Sequence, residues 1–337
     1  MTLAVGLIGA GMIGTEHATT IARRVSGAAV AGVFDVDTRR ARAIAEATGA
    51  ALFDFAGALV ASDDIDAVVL ATPGRYHAAD VLACIDAGKP VMCEKPLAAD
   101  VDDCVAVVEA EAKAGRRLVQ VGFMRRFDPG YVEVKAAVSA GNIGQPLVLH
   151  NIHRNPAPPP SFSNEMMMTE AMIHEFDVSR WLLDDEVAAV RVLAPRPTPR
   201  AREGLLDPQV AILEMASGAL ADIEMFVTCT YGYDVRCEVV GSEGAVGLES
   251  SGATTLRLGG SRAQPIATGW KERFGEAYRL ELQAWVDGAL SGTATGPTAW
   301  DGYAATVIAA RAVDAQRSGE RTTVDLVDRP ALYRPRT

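Results

Sequence analysis

The chain has 337 residues, 49% hydrophobic and 22% charged, with 43 acidic side chains against 32 basic ones and a formal charge of −11. This length accommodates two domains, each with its own core, and the acidic balance argues against nucleic acid or an anionic membrane as the partner. No apolar run is long enough to span a membrane, the N-terminus lacks a basic signal region, and five scattered cysteines without pair or zinc spacing suit reduced thiols in a cytoplasm.

Leu3 to Ile8 is an apolar run that reads as a buried strand. Gly9-Ala10-Gly11-Met12-Ile13-Gly14 follows at once, and then Ala18, Ile21, Ala22 and Val25 at helical spacing. A glycine-rich turn between a strand and a helix is the context in which G-x-G-x-x-G carries meaning. Gly9 permits the tight turn, Gly11 lets the backbone approach a pyrophosphate, and Gly14 lets the helix pack on the strand. Free N–H groups at the helix start then face the phosphates. A second strand, Val30 to Phe34, ends at Asp35, about twenty residues beyond the glycine turn, the spacing of a carboxylate that bonds the adenosine ribose. Asp35 also repels a 2′-phosphate and so favours NAD over NADP. Arg39 and Arg40 read as an exposed helix face, with receipt of that phosphate as the alternative.

Asp66 to Thr72 is a further strand, stopped by Pro73-Gly74. The helix after it runs toward Gly88, with His77 near its start as either a cofactor contact or a plain helix-start histidine. Val91 to Glu94 is another buried strand, which Lys95 ends and Pro96 forbids from extending. Glu94 and Lys95 therefore belong at the carboxyl edge of the sheet, where open α/β sheets bind ligands. Asp100 caps a helix that Gly115 closes, and Leu118 to Phe123 is a last strand. Alternating strands and helices imply a doubly wound parallel sheet over residues 1–123.

Beyond residue 124 the rhythm changes. Tyr131, Val134 and Val138 mark a helix, Leu147 to Asn155 is extended, and four prolines between Pro156 and Pro160 form a loop. Glu170 to Leu183 reads as a helix. Strand pairs follow, Val210–Met215 with Leu220–Val227 and Arg236–Val240 with Ala245–Leu248, joined by short glycine turns that imply antiparallel pairing. A helix near Trp300–Gln316 closes the chain. Residues 124–337 are thus expected to form an α+β domain with a large, mostly antiparallel sheet.

Glu170, His174 and Asp177 stand at i, i+4 and i+7, one face of an α-helix. Glu170 can orient the His174 ring and stabilise its charged form, and His174 is suited to take a hydroxyl proton near neutral pH. An ordinary surface pair has the same spacing. His150, His153, Arg154 and Asn155 form a polar group beside the proline loop, read as substrate lining or a solvated edge rather than a metal site.

These residues bring a family into view. The chain resembles the glucose–fructose oxidoreductase and inositol dehydrogenase family, within it the inositol 2-dehydrogenases, through GAGMIGTEH at 9–17, CEKPLA at 93–98, LVQVGFMRRFDPGY at 118–131 and HRNP at 153–156. The likeness continues through IHEFDVSRWL at 173–182, DPQ at 207–209, YGYDVRCEVVG at 231–241 and GPTAWDGY at 296–303. The resemblance implies a Rossmann domain followed by an open-faced sheet domain that assembles as a homotetramer in the cytoplasm. It implies that Pro96 is cis, that Lys95 touches nicotinamide ribose and substrate, and that His174 is the proton acceptor. The cofactor set it implies is Gly9, Gly11, Met12, Ile13, Gly14, Asp35, Thr72, His77, Glu94 and Lys95. Arg125, Asn155, Glu170, His174 and Tyr233 join Lys95 around a cyclitol, with catalysis carried by Lys95, His174 and Glu170 and no metal.

Two positions depart from the pattern: Glu170 stands where aspartate is usual, and Ala171 where threonine is common. The expected reaction is oxidation of a secondary ring hydroxyl by NAD, with myo-inositol the first substrate and another inositol, an aminocyclitol or a hexose as alternatives. A non-catalytic NAD-sensing regulator is the rival from another class, and Lys95 together with His174 argues against it.

Overall fold

The computed structural model describes residues 2–249 and 256–334. The chain folds into two compact units, Met1–Met124 with Ala277–Thr306 and Leu326–Thr337, and Arg125–Glu276 with Val307–Asp325.

The first unit is a six-stranded parallel sheet in the order β3-β2-β1-β4-β5-β6, from β1 (Leu3–Ile8), β2 (Ala28–Phe34), β3 (Ala51–Leu52), β4 (Ala67–Leu70), β5 (Val91–Glu94) and β6 (Val119–Gly122). Every residue of β4, β5 and β6 is buried, which is why these strands read as unbroken apolar runs rather than alternating ones. The connecting helices are α1 (Met12–Arg24), α2 (Thr38–Thr48), α3 (Ala56–Ala61), α4 (His77–Asp86) and α5 (Val101–Ala114). Asp37 and Asp100 cap α2 and α5 by accepting the N–H groups of Arg39 and Asp103. Ala22, placed on the buried stripe from spacing, is exposed on α1. Lys95 is the first residue after β5 rather than its last.

In the second unit come α6 (Pro129–Ser139), β7 (Pro146–Arg154), the single turn α7 (Asn164–Met166), a π-helical turn (Met167–Ala171) and α8 (Ile173–Leu183). They precede β8 (Val187–Leu193), β9 (Gln209–Met215), β10 (Leu220–Phe226), β11 (Asp234–Gly241), β12 (Ala245–Leu248) and the β13 (Leu256–Leu258) and β14 (Ser261–Ala263) pair. The seven-stranded sheet runs β12-β11-β7-β10-β9-β8-β15, with β15 at Thr322–Thr323. Its pairs are antiparallel except β7 with β10, which run parallel from Leu220 beside Val148 to Phe226 beside Arg154. Parallel neighbours need a long crossover, and the stretch from Asn155 to Ala219 supplies it.

Two long helices complete the chain, α9 (Trp270–Ser291) and α10 (Ala299–Ser318). The sequence reading provided only the second. Leu282, Trp285 and Val286 of α9 pack into the core with Leu3, Val5, Val33 and Met92 of the first unit's sheet, an apolar stripe at i, i+3 and i+4. The five cysteines are all buried and free, and burial pushes the Cys84, Cys104 and Cys237 thiols up to about 12. Among the described residues no helix is long and apolar enough to cross a membrane.

A buried carboxylate ties the C-terminal segment to this unit. Glu111 on α5 accepts the N–H groups of Leu118 (2.5 Å) and Val119 (2.6 Å) and the hydroxyl of Tyr333 (2.6 Å). Burial raises its carboxyl above the ordinary value of 4.5, with the bond from Tyr333 opposing. A raised acid stabilises the fold fully below its unfolded value, and that contribution is lost as pH rises through the folded one. Glu111→Ala should therefore destabilise the protein by at least about 2 kcal/mol, because two buried N–H groups lose their acceptor. Glu111→Gln should cost less, and should gain relative to wild type as the pH is taken from below 4.5 to neutrality. Urea titrations of the three proteins across that range check both the size and the sign.

Candidate active site

In the first unit the turn between β1 and α1 is shaped by what a side chain would strike. A Cβ on Gly9, whose φ is 100°, would lie 2.7 Å from the Ala71 backbone, and one on Gly14 would lie 1.9 Å from the Gly9 carbonyl oxygen. At Gly11 a Cβ would meet nothing within 4 Å, so the backbone there stands open to an incoming group. Gly11 caps α1 without a side-chain bond, and no acidic residue occupies the first turn. Those uncapped N–H groups and the positive end of the helix form an anion cradle, flanked by Met12, 71% exposed, and half-buried Ile13.

Asp35 locks this turn from the next strand. Its two carboxylate oxygens accept the Ala10 N–H (2.5 Å) and the Asp37 N–H (2.7 Å), and an ionised carboxylate keeps lone pairs for further donors. Asp37 in turn holds Arg39 at 3.2 Å and Arg40 at 3.5 Å. At the ends of β4 and β5 lie the other residues expected of this half. Thr72 Oγ1 is buried with no hydrogen-bond partner, a state that calls for a ligand group. His77 is wholly buried, its Nδ1 2.7 Å from the Pro96 carbonyl and its Nε2 2.7 Å from that of Thr72. Glu94 accepts from the Lys95 N–H (3.2 Å) and meets His17 Nε2 at 2.7 Å. The Lys95–Pro96 bond is cis, as the resemblance implied. The residues present fit a bound dinucleotide: an open glycine, an uncapped helix end, a ribose-spaced carboxylate and an orphaned hydroxyl converge on one sheet edge.

In the second unit, alternation along β7 separates the polar group that the sequence had joined. Leu149, Asn151 and His153 face the buried side of the sheet, while His150, Ile152 and Arg154 face the other. His150 meets Asp222 at 2.5 Å, and Arg154 forms a two-pronged bond with Glu224. Of that group His153 joins the buried network and brings Asn155 with it. Its Nδ1 lies 3.0 Å from Arg125 Nη2 and 2.9 Å from Glu175 Oε1, and its Nε2 lies 3.1 Å from Asn155 Oδ1. Arg125 pairs with Glu175 directly and sits 5.7 Å from the Phe274 ring centre. Tyr233 stacks edge-on against both Phe274 and His153, and burial pushes its hydroxyl up to about 12. Burial alone would raise the Glu175 carboxyl, but Arg125 and then His153 outweigh it and hold it below its ordinary value. Thus Arg125, Asn155 and Tyr233 are brought together, with Glu175 and His153 at the centre.

Glu170 and His174 stand on one continuous helical stretch that changes type between them. Met172 donates to the Met167 carbonyl, an i→i+5 bond, so Glu170 lies in a π turn while His174 lies in the α-helical part that Ile173 begins. The period of 3.6 does not carry across such a turn, and π bulges favour functional positions. His174 is 9% exposed and Glu170 half-buried. Asp177, the third member of the predicted face, is a structural partner: it takes two bonds from Arg126, at 2.9 and 2.5 Å. Among the described residues no group of three His, Cys, Asp or Glu side chains is arranged to hold a metal ion.

Comparison with known proteins gives concordant matches. The description "Oxidoreductase family, NAD-binding Rossmann fold" matches residues 3–123, and "GFO/IDH/MocA C-terminal domain" matches residues 131–247. Inositol 2-dehydrogenase 3 of Saccharopolyspora erythraea is 49% identical over 333 residues, covering 99% of this chain and 98% of its own. Inositol 2-dehydrogenase of Burkholderia cenocepacia is 45% identical over 336 residues, covering 99% and 100%. Among solved structures, myo-inositol dehydrogenase from Lactobacillus casei in complex with NAD(H) and myo-inositol superposes with a TM-score of 0.96 at 35% identity, over 99% of this chain and 100% of that one.

Glu175 is the residue that the sequence reading passed over, and its loss should be severe. Glu175→Leu would leave the Arg125 guanidinium buried without its carboxylate, at a cost of about 3–5 kcal/mol. Replacing both residues, Glu175→Leu with Arg125→Met, should recover most of that stability while leaving the chain folded. Denaturant midpoints of both single variants and the double variant measure the coupling, and a double variant whose loss equals the sum of the two single losses would show that the pair is not coupled.

Proposed function

The chain belongs to the GFO/IDH/MocA oxidoreductase family, and on that footing we propose that it is an NAD-dependent inositol 2-dehydrogenase. The observation that carries the proposal is identity of 45–49% to inositol 2-dehydrogenases over the full chain. The reaction oxidises the secondary hydroxyl of myo-inositol to the ketone, with NADH and a proton as the other products. NAD, when bound, supplies the acceptor for the hydride.

The chain's own residues do the rest. The Gly9–Gly14 turn and the α1 N-terminus hold the pyrophosphate, and Asp35 holds the adenosine ribose hydroxyls. Its charge opposes a 2′-phosphate, and Asp37 keeps Arg39 and Arg40 engaged. His174 accepts the proton of the reacting hydroxyl. Lys95 places a cation against the oxygen as negative charge develops there, an electrostatic term available only when the lysine is held in position. Glu170 supports the charged form of His174. Arg125, Asn155 and Tyr233 line the cyclitol, with Asn155 held by His153. The first unit, which takes in 277–306 and 326–337 from the stretch expected as one domain over 124–337, is given the dinucleotide role expected of residues 1–123, and the second the substrate and assembly roles.

The physiological setting is a cytoplasmic homotetramer in inositol catabolism. What supports the assembly is the face of the second sheet opposite His153, where Val148, Ile152, Val210, Ile212 and Phe226 are half-buried rather than covered. A non-catalytic NAD sensor has no comparable support, since the relatives at this identity are named as dehydrogenases.

A substrate panel tests the reading. Purified protein with NAD should reduce the cofactor fastest with an inositol, myo-inositol foremost, and slowly or not at all with hexoses. NAD should be preferred over NADP in kcat/KM, and Asp35→Ser should narrow that preference. Failure on every inositol would overturn the substrate, and NADP preference in the wild type would mean that an arginine beside Asp35 dominates.

A further inference from the structure

The catalytic role given to Lys95 requires that its backbone be fixed, and the structure shows how each side of it is held. On the N-terminal side, Glu94 folds back so that Oε2 accepts the Lys95 N–H at 3.2 Å, while Oε1 meets His17 Nε2 at 2.7 Å. His17 is wholly buried on α1, and its ring packs edge-on against Tyr278 at 5.9 Å. Gly122 of β6 makes room for the carboxylate, since a Cβ there would fall 3.0 Å from Oε2. On the C-terminal side, the Pro96 carbonyl lies 2.7 Å from His77 Nδ1, and the opposite ring nitrogen of His77 lies 2.7 Å from the Thr72 carbonyl. Gly74 closes the arrangement, for a Cβ there would stand 2.8 Å from the Pro96 ring.

We propose that His17 and His77 are positioning residues for Lys95, His17 acting through the Glu94 carboxylate and His77 through the Pro96 carbonyl. The inference rests on the catalytic assignment of Lys95. It gives Glu94 and His77 a different task from cofactor contact: their polar atoms are engaged with the protein, and they are buried. The two nitrogens of one imidazole reach the Pro96 and Thr72 carbonyls from opposite ring edges. No other side chain of similar size spans both from a rigid ring, so a substitution releases at least one carbonyl. His77 also fixes the distance between the ends of β4 and β5, and so sets Lys95 relative to Thr72 Oγ1, itself a buried group awaiting a ligand.

A positioning residue should lower the chemical step and leave binding nearly intact. In His77→Gln and in Glu94→Gln, kcat should fall on the order of 10-fold, the scale of a displacement well under 1 Å at a catalytic group. The dissociation constant for NAD should change by less than about 3-fold, and the isotope effect with deuterium on the reacting carbon should grow as hydride transfer becomes limiting. The decisive comparison places each substitution in the Lys95→Ala background. If the two residues act through Lys95, each should have at most about a 2-fold further effect there. Losses that multiply with that of Lys95→Ala, or wild-type kcat in both single variants, would overturn the clamp. Full turnover in Lys95→Ala itself would instead overturn the catalytic assignment. Should His77→Gln fail to fold, the Glu94→Gln cycle decides alone.

Discussion

Glu94 is a carboxylate at the end of a four-residue buried strand, and its need for partners organises the first unit. A buried charge is tolerated only when hydrogen-bonded or paired. The partners here are the His17 imidazole and the N–H of Lys95, so satisfying the carboxylate also fixes the backbone at the lysine. Because the donor comes from α1, the same bond ties the glycine turn's helix to the end of β5. The glycine turn's helix and the backbone at Lys95 are thereby set by one local requirement. The small residues around it follow from that requirement: Gly122 leaves space for the carboxylate and Gly74 for the proline ring.

The second unit solves the same problem with the signs exchanged. Arg125 is a fully buried cation, and Glu175 with His153 answers it. Such a network costs desolvation and adds little net stability over an apolar core. Its return lies in geometry, because His153 Nε2 is placed against Asn155 Oδ1. That contact directs the amide's donor end away from the histidine, toward whatever the residue serves. Asn155 is also pinned through its own backbone, donating to Phe226 and accepting from Cys229. Rigid polar groups of this kind suit a ligand that presents several equivalent hydroxyls.

Much of this was legible in the residues. The parallel sheet could be read because its central strands are buried on both faces and therefore uninterrupted. The glycine turn, Asp35 and the capped helix from Asp100 to Gly115 each carry a local signal that no tertiary contact overrides. Two misreadings have definite causes. Helix α9 was passed over although Phe274, Ala277, Tyr278, Leu282, Trp285 and Val286 form a buried stripe, because Gly275 and Gly288 interrupt it and charged residues crowd the other face. The stretch from Glu170 to Leu183 was read as one plain helix although Glu170 belongs to the π turn Met167–Ala171, and a π turn leaves no mark in composition. Glu175 and His17 were missed for a shared reason: each is a polar residue on a buried helix face, and only the fold reveals that its partners come from elsewhere. A charge set among Ile173, Phe176 and Val178 was the available clue.

The central claim is direct transfer of hydride from a ring carbon of an inositol to NAD by this chain. myo-Inositol carrying deuterium at the reacting carbon, incubated with the enzyme and NAD, tests it by proton NMR of the cofactor. The deuterium should appear at C4 of the reduced nicotinamide, in one label per ketone formed. Ketone formed with deuterium released to water, or no reduced cofactor at all, would contradict it.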